Sequence, residues 1–212
     1  MNFAVPLKRI TPSVLLSGLL VAVSAVPALA APSLTMPVTY GVGAEPWHVV
    51  VADLDEDGNL DLAVANRSGD TVTILYGNGS GAFGGAVHHD VGAQPWSVAA
   101  ADFNQDGHVD LATANYGDGT VSILPGEGAG GFGPATPHAL APGATPVALI
   151  AEDLDGDEVP DLAVADTSTH TVAVLLGNGD GTFAQPEVYS VSVYPVWLVA
   201  GDFDGDGHVD IA

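Results

Sequence analysis

Four stretches of nine residues place side-chain oxygens on alternate positions. Asp53–Asp61 reads DLDEDGNLD, Asp102–Asp110 reads DFNQDGHVD, Asp153–Asp161 reads DLDGDEVPD and Asp202–Asp210 reads DFDGDGHVD. Carboxylates this close repel one another unless a cation sits among them. Hard dications take about 6–8 oxygen ligands, and alternate residues of a tight loop can aim several at one point. The candidate ligands are Asp53, Asp55, Asp57, the Asn59 carbonyl and Asp61 in the first loop, and Asp102, Asn104, Asp106, the His108 carbonyl and Asp110 in the second. In the third they are Asp153, Asp155, Asp157, the Val159 carbonyl and Asp161, and in the fourth Asp202, Asp204, Asp206, the His208 carbonyl and Asp210. Gly58, Gly107 and Gly207 occupy position six, where the loop must turn sharply. Calcium suits such a loop better than magnesium, which prefers to keep its waters, and zinc is disfavoured because the chain has no cysteine. The competing reading is a set of ordinary acidic turns. An EF-hand is excluded, because position twelve is Val64, Thr113 or Val164 where an acidic ligand is needed.

The loops recur at intervals of about fifty residues, and other features keep their register. A proline lies seven residues before each loop (Pro46, Pro95, Pro146, Pro195), and a Gly-rich turn ending in Phe83, Phe132 or Phe183 follows three of them. Within one unit, WHVVVA (47–52), LDLAVAN (60–66) and TVTILY (71–76) are short, apolar and bounded by Gly, Asn or Asp, and GAVHHDV (85–91) is a weaker fourth run. Four short strands per repeat predict an all-β chain of four-stranded antiparallel blades, a β-propeller. The inner runs are apolar on both faces, as strands between two neighbouring blades must be. VTYGVGAEPW (38–47) aligns with VHHDVGAQPW (87–96), so the chain is expected to open on the outer strand of a blade. It then holds three complete repeats and the start of a fourth, as a portion of a longer propeller spanning residues 38–212.

DLDEDGNLDLAVAN, DFNQDGHVDLATAN and GNGDGTF resemble the FG-GAP repeats, also called VCBS repeats, of integrin α-chain heads and of secreted bacterial proteins. The resemblance implies a propeller, usually of seven blades, with calcium held between the first and second strands of each blade, at up to four sites here. Two departures from the pattern stand out. Asn104 lowers the charge of the second loop, and Glu158 replaces glycine in the third, beside Pro160. If position six needs positive φ, Glu158 costs about 1–2 kcal/mol there, which makes the third site the weakest expectation.

The chain of 212 residues has a net charge of −23, and Lys8, Arg9 and Arg67 are its only Lys or Arg. Such a surface repels nucleic acid and anionic membranes. Residues 1–30 read as a secretory signal peptide: Lys8 and Arg9, then VLLSGLLVAVSAV (14–26), then Ala28-Leu29-Ala30 as the cleavage site. A transmembrane anchor is the alternative, but the apolar run is short for a span. Residues 31–37 are then a linker, and the mature protein is expected to be secreted or at the cell surface, with no membrane span.

Trp47, Trp96 and Trp197 are read as packing at blade junctions, the three Phe residues as plugs of their turns, and His88 and His89 as solvated. No nucleophile, zinc-protease or phosphate-loop motif is present, and the paired carboxylates are explained as ligands. The expected function is a calcium-stabilised extracellular module binding a protein or glycan. The alternatives are the propeller portion of an extracellular enzyme acting on polysaccharide or phospholipid, and a structural spacer.

Overall fold

A computed structural model describes residues 38–212, so the expected signal peptide and linker lie outside the described residues. Its strands follow the repeat. The first unit holds β1 (Pro46–Ala52), β2 (Asp61–Asn66), β3 (Thr71–Leu75) and β4 (Val87–Asp90). The second holds β5 (Pro95–Ala101), β6 (Asp110–Asn115), β7 (Thr120–Leu124), a small β8 (Gly126–Gly128) and β9 (Gly131–Phe132) hairpin, and β10 (Thr136–Ala139). The third holds β11 (Pro146–Glu152), β12 (Asp161–Asp166), β13 (Thr171–Leu175) and β14 (Glu187–Ser190). A fourth begins with β15 (Ala200–Gly201) and β16 (Asp210–Ile211). Three sheets of four antiparallel strands result, ordered β1-β2-β3-β4, β5-β6-β7-β10 and β11-β12-β13-β14. These are propeller blades. No strand forms over 38–45, where the sequence pattern predicts an outer strand; Tyr40 instead packs edge-on against Phe83, with ring centroids 5.3 Å apart.

The blades stack through a large-on-small fit that the two-residue period of a strand makes possible. In β6, Leu111 packs toward the first blade, while Ala112 and Ala114 face the third. In β12, Leu162 and Val164 face the second blade, and Ala163 and Ala165 face the fourth unit. Each blade thus lays branched side chains onto the alanine face of the blade before it. Leu111 and Leu162 are fully buried, a burial that contributes roughly 1.5–3 kcal/mol per side chain. Among the described residues the first blade has no such partner on its leading face, and Val49 and Val51 stay half exposed.

The Phe residues work differently from simple turn plugs. Phe132 packs into the core between the first two blades, and Phe183 lies edge-on to Phe103 of the preceding blade at 5.6 Å. His89 is half-buried against Phe132, at 5.5 Å, and His138 meets Phe183 at 5.4 Å. The expectation of a solvated histidine pair therefore fails for His89, because the outer strand folds over the next blade's aromatic turn. His88 also has a partner, its Nδ1 lying 2.8 Å from the Thr73 hydroxyl.

In the three complete blades the first strand begins on its proline with a bulge. Pro46 pairs with Asn66 and His48 with Ala65, so the ladder skips Trp47; Trp96 and Val147 are skipped in the same way. Proline cannot donate to a ladder, and the first residue of a strand or a bulge is where it is tolerated.

Candidate metal centre

The Asp loops join the first strand of each blade to the second, so all four lie at the same end of the sheets. Their backbone is folded by the aspartates themselves. Position one accepts the position-six amide through Oδ2: Gly58 to Asp53 at 3.0 Å, Gly107 to Asp102 at 2.9 Å, Glu158 to Asp153 at 2.9 Å and Gly207 to Asp202 at 3.1 Å. Position three accepts the position-five amide, at 2.9–3.2 Å across the four loops. Position five accepts the position-seven amide at 2.8 Å in every loop. These are Asx turns in series, the local bonding for which Asp and Asn are suited.

Position nine is anchored most firmly. Asp61 is buried and accepts two backbone amides, Leu54 N–H on Oδ2 and Gly77 N–H on Oδ1, both at 2.7 Å. Asp110 does the same with Phe103 (2.9 Å) and Gly126 (2.6 Å), and Asp161 with Leu154 (2.8 Å) and Gly177 (2.7 Å). The second donor in each pair has to be glycine. A Cβ on Gly77 would stand 2.1 Å from the Leu60 carbonyl oxygen, one on Gly126 2.4 Å from that of Val109, and one on Gly177 2.5 Å from that of Pro160. The Gly-rich turn is thereby docked onto the loop through one carboxylate.

Three loops bring carboxylates together: Asp53, Asp55 and Asp57; Asp153, Asp155 and Asp161; and Asp202, Asp204 and Asp206, each set with ligand oxygens within 4.8 Å of one another. The second loop gathers no such set of carboxylates, because Asn104 stands at position three and donates Nδ2–H to Asp106 at 2.9 Å. Asp53 Oδ1 is buried and, among the described residues, has no hydrogen-bond partner. A buried anionic oxygen without a donor is costly, and a cation would relieve it. Asp55 is held above the ordinary aspartate range by partial desolvation, with Asp61, Asp57 and Asp53 pushing the same way against one bond from the Asp57 amide. Burial likewise raises Asp110 and Asp161. The donor set is all oxygen, matching a hard dication such as calcium.

Glu158 adopts φ 69°, so position six does require the left-handed region, as at Gly58, Gly107 and Gly207. The strain leaves the third loop's carboxylates together all the same. Position four also lies there, at Glu56 (φ 62°), Gln105 (φ 55°), Gly156 (φ 84°) and Gly205 (φ 82°). Sequence reasoning missed this position. Its two side chains reach the next blade: Glu56 pairs with His108, and Gln105 Nε2 donates to the Glu158 carbonyl at 3.3 Å. His108 is therefore no bystander; its hydrogen bond to Glu56 raises its pKa above the usual histidine value.

The FG-GAP-like repeat family model matches three times in succession, over residues 53–113, 102–164 and 153–212. The chain belongs to the FG-GAP-like repeat family. Solved structures agree on the fold. The FG-GAP chain superposes on BBS1N, solved in complex with ARL6DN, with a TM-score of 0.58 at 15% identity, covering 82% of this chain and 53% of that one. An Agrocybe aegerita lectin, solved for its recognition of non-reducing terminal N-acetylglucosamine, superposes with a TM-score of 0.51 at 24% identity, covering 76% of this chain and 44% of that one. The chain thus spans about half the length of these structural relatives. No protein of curated function matches the sequence.

Proposed function

We propose that this FG-GAP-like chain is an extracellular, calcium-stabilised propeller module that binds a protein or glycan ligand and carries out no chemistry of its own. The observation that carries the calcium reading is the first loop, where three clustered carboxylates include the buried, donorless Asp53 Oδ1. Here Asp53, Asp55 and Asp57 would hold the ion above the Asp61 anchor, and Asp153, Asp155 and Asp161, and Asp202, Asp204 and Asp206, would do so in the third and fourth loops. Bound calcium would offset the mutual repulsion of the aspartates and lock the β1–β2 connection to the Gly-rich turn. The export reading rests on the N-terminal basic and apolar segments. The binding reading draws support from the two structural relatives, one solved with a protein and one recognising a sugar.

The test is calorimetry of the exported chain with EDTA, with magnesium and with calcium. Calcium should raise the melting temperature and magnesium should do so less well. Extracellular calcium modules have dissociation constants of about 0.1–1 mM, so about 1 mM calcium stabilises by roughly 0.4–1.4 kcal/mol per site. A melting temperature indifferent to EDTA and calcium overturns the metal reading and leaves the loops as self-capped acidic turns.

A further inference from the structure

Arg67 is the only basic residue among the described residues, in a chain of net charge −23. Among the described residues it forms no ion pair with a carboxylate, and its guanidinium donates to no protein acceptor. It lies instead over two indoles, its Cζ 5.5 Å from the Trp47 ring centre and 4.8 Å from that of Trp96. The two indoles are 4.9 Å apart, and Tyr116 stacks on Trp96 at 5.0 Å. Cation–π contact fixes the guanidinium while leaving its five N–H groups free. Trp47 and Trp96 are the residues that the strand bulges skip, and a bulge re-aims a side chain. The cluster lies at the end of the blades opposite the Asp loops.

The fold does not require these residues. At the same positions the third blade has Val147, which is buried, and Thr167, so packing is satisfied without an aromatic ring or a cation. Trp47 is 55% exposed. An exposed indole face beside a fixed fork of donors matches one ligand chemistry well. The C–H face of a pyranose can lie on the ring, and its hydroxyl oxygens can accept from the guanidinium. Hydroxyl hydrogens would find acceptors at the carboxylate of Glu45, which also accepts the Ser68 hydroxyl at 2.7 Å. The net charge disfavours an acidic sugar. We propose that Trp47, Arg67 and Trp96 form a binding site for a neutral saccharide, a deepening that rests on the binding-module reading above.

The experiment is titration of the calcium-loaded chain with chitotriose, cellotriose, maltotriose and trigalacturonate, read by calorimetry and by tryptophan fluorescence. At least one neutral trisaccharide should bind and perturb the fluorescence. Trp47→Ala and, separately, Arg67→Gln should each weaken that binding by about tenfold or more. The calcium-dependent melting temperature should stay in place for Arg67→Gln, which guards against a folding defect, and Trp197→Ala should leave affinity unchanged. Four results overturn the assignment: no binding of a neutral trisaccharide, binding of trigalacturonate alone, affinity untouched by both variants, or capture of gelatin, lost in both variants, with no sugar bound. Each leaves the calcium response intact, so failure here is distinguishable from failure of the metal reading.

Discussion

Replacing Asp61 by alanine separates the scaffold role of an Asp loop from its proposed metal role. Asp61 accepts the Leu54 and Gly77 amides, both buried, at 2.7 Å each. Removing the carboxylate leaves two N–H groups without acceptors, and a buried unsatisfied group costs about 1–3 kcal/mol. Asp61→Ala should therefore cost about 2–6 kcal/mol with EDTA present, before any metal is counted. For a folded region of this size, each kcal/mol shifts the melting temperature by about 2–4 °C, so a fall of at least about 4 °C is expected. Asp57→Ala is the contrast. Asp57 bonds only exposed Asn59 groups, at 2.8 Å, so in EDTA it should cost no more than about 1 kcal/mol. In calcium it should lose a further 0.4–1.4 kcal/mol or so, the linkage of one site. The assay is differential scanning calorimetry of the wild type and both variants, with EDTA and with calcium. If Asp61→Ala melts with the wild type in EDTA, or if Asp57→Ala loses as much in EDTA as in calcium, the division between anchor and ligand is wrong.

Glu158→Gly should stabilise the third loop by about 1 kcal/mol in EDTA, since Glu158 sits at φ 69° and the bond from Gln105 goes to its backbone; denaturant unfolding of the variant checks this. Ala112→Leu should destabilise by about 1–3 kcal/mol, because Ala112 is fully buried on the small-residue face against the third blade; the same measurement reads it. Stability should fall as the pH drops below about 6.5, because burial lowers the pKa of His48, His89 and His138 in the folded chain. The unfolded chain takes up protons on these rings first, so their contribution is complete above the unfolded pKa and is lost toward the lower folded values. His108 is shifted the opposite way by its hydrogen bond to Glu56 and opposes this slope, but it is one ring against three. Urea unfolding between pH 5 and pH 8 should show it, and His138→Phe should flatten it.

Much of this protein was legible as a string of residues because it is a repeat. Strand positions, blade boundaries and the spacing of the aspartates all recur in register, and local chemistry decides each of them. Proline starts a strand, aspartate caps its own loop, and glycine turns it. That LDLAVAN and DLATAN are apolar on both faces was also visible, but not which face meets which neighbour. That depends on how consecutive sheets stack. Residues that touch across blades are about fifty positions apart and carry no local signal. The Glu56–His108 pair, the burial of His89 on Phe132, and the positive φ at position four are of that kind. So is the placing of Arg67 on Trp47 and Trp96: sequence showed a lone arginine among acids, and only the stacking of the first two blades seats it on aromatic rings.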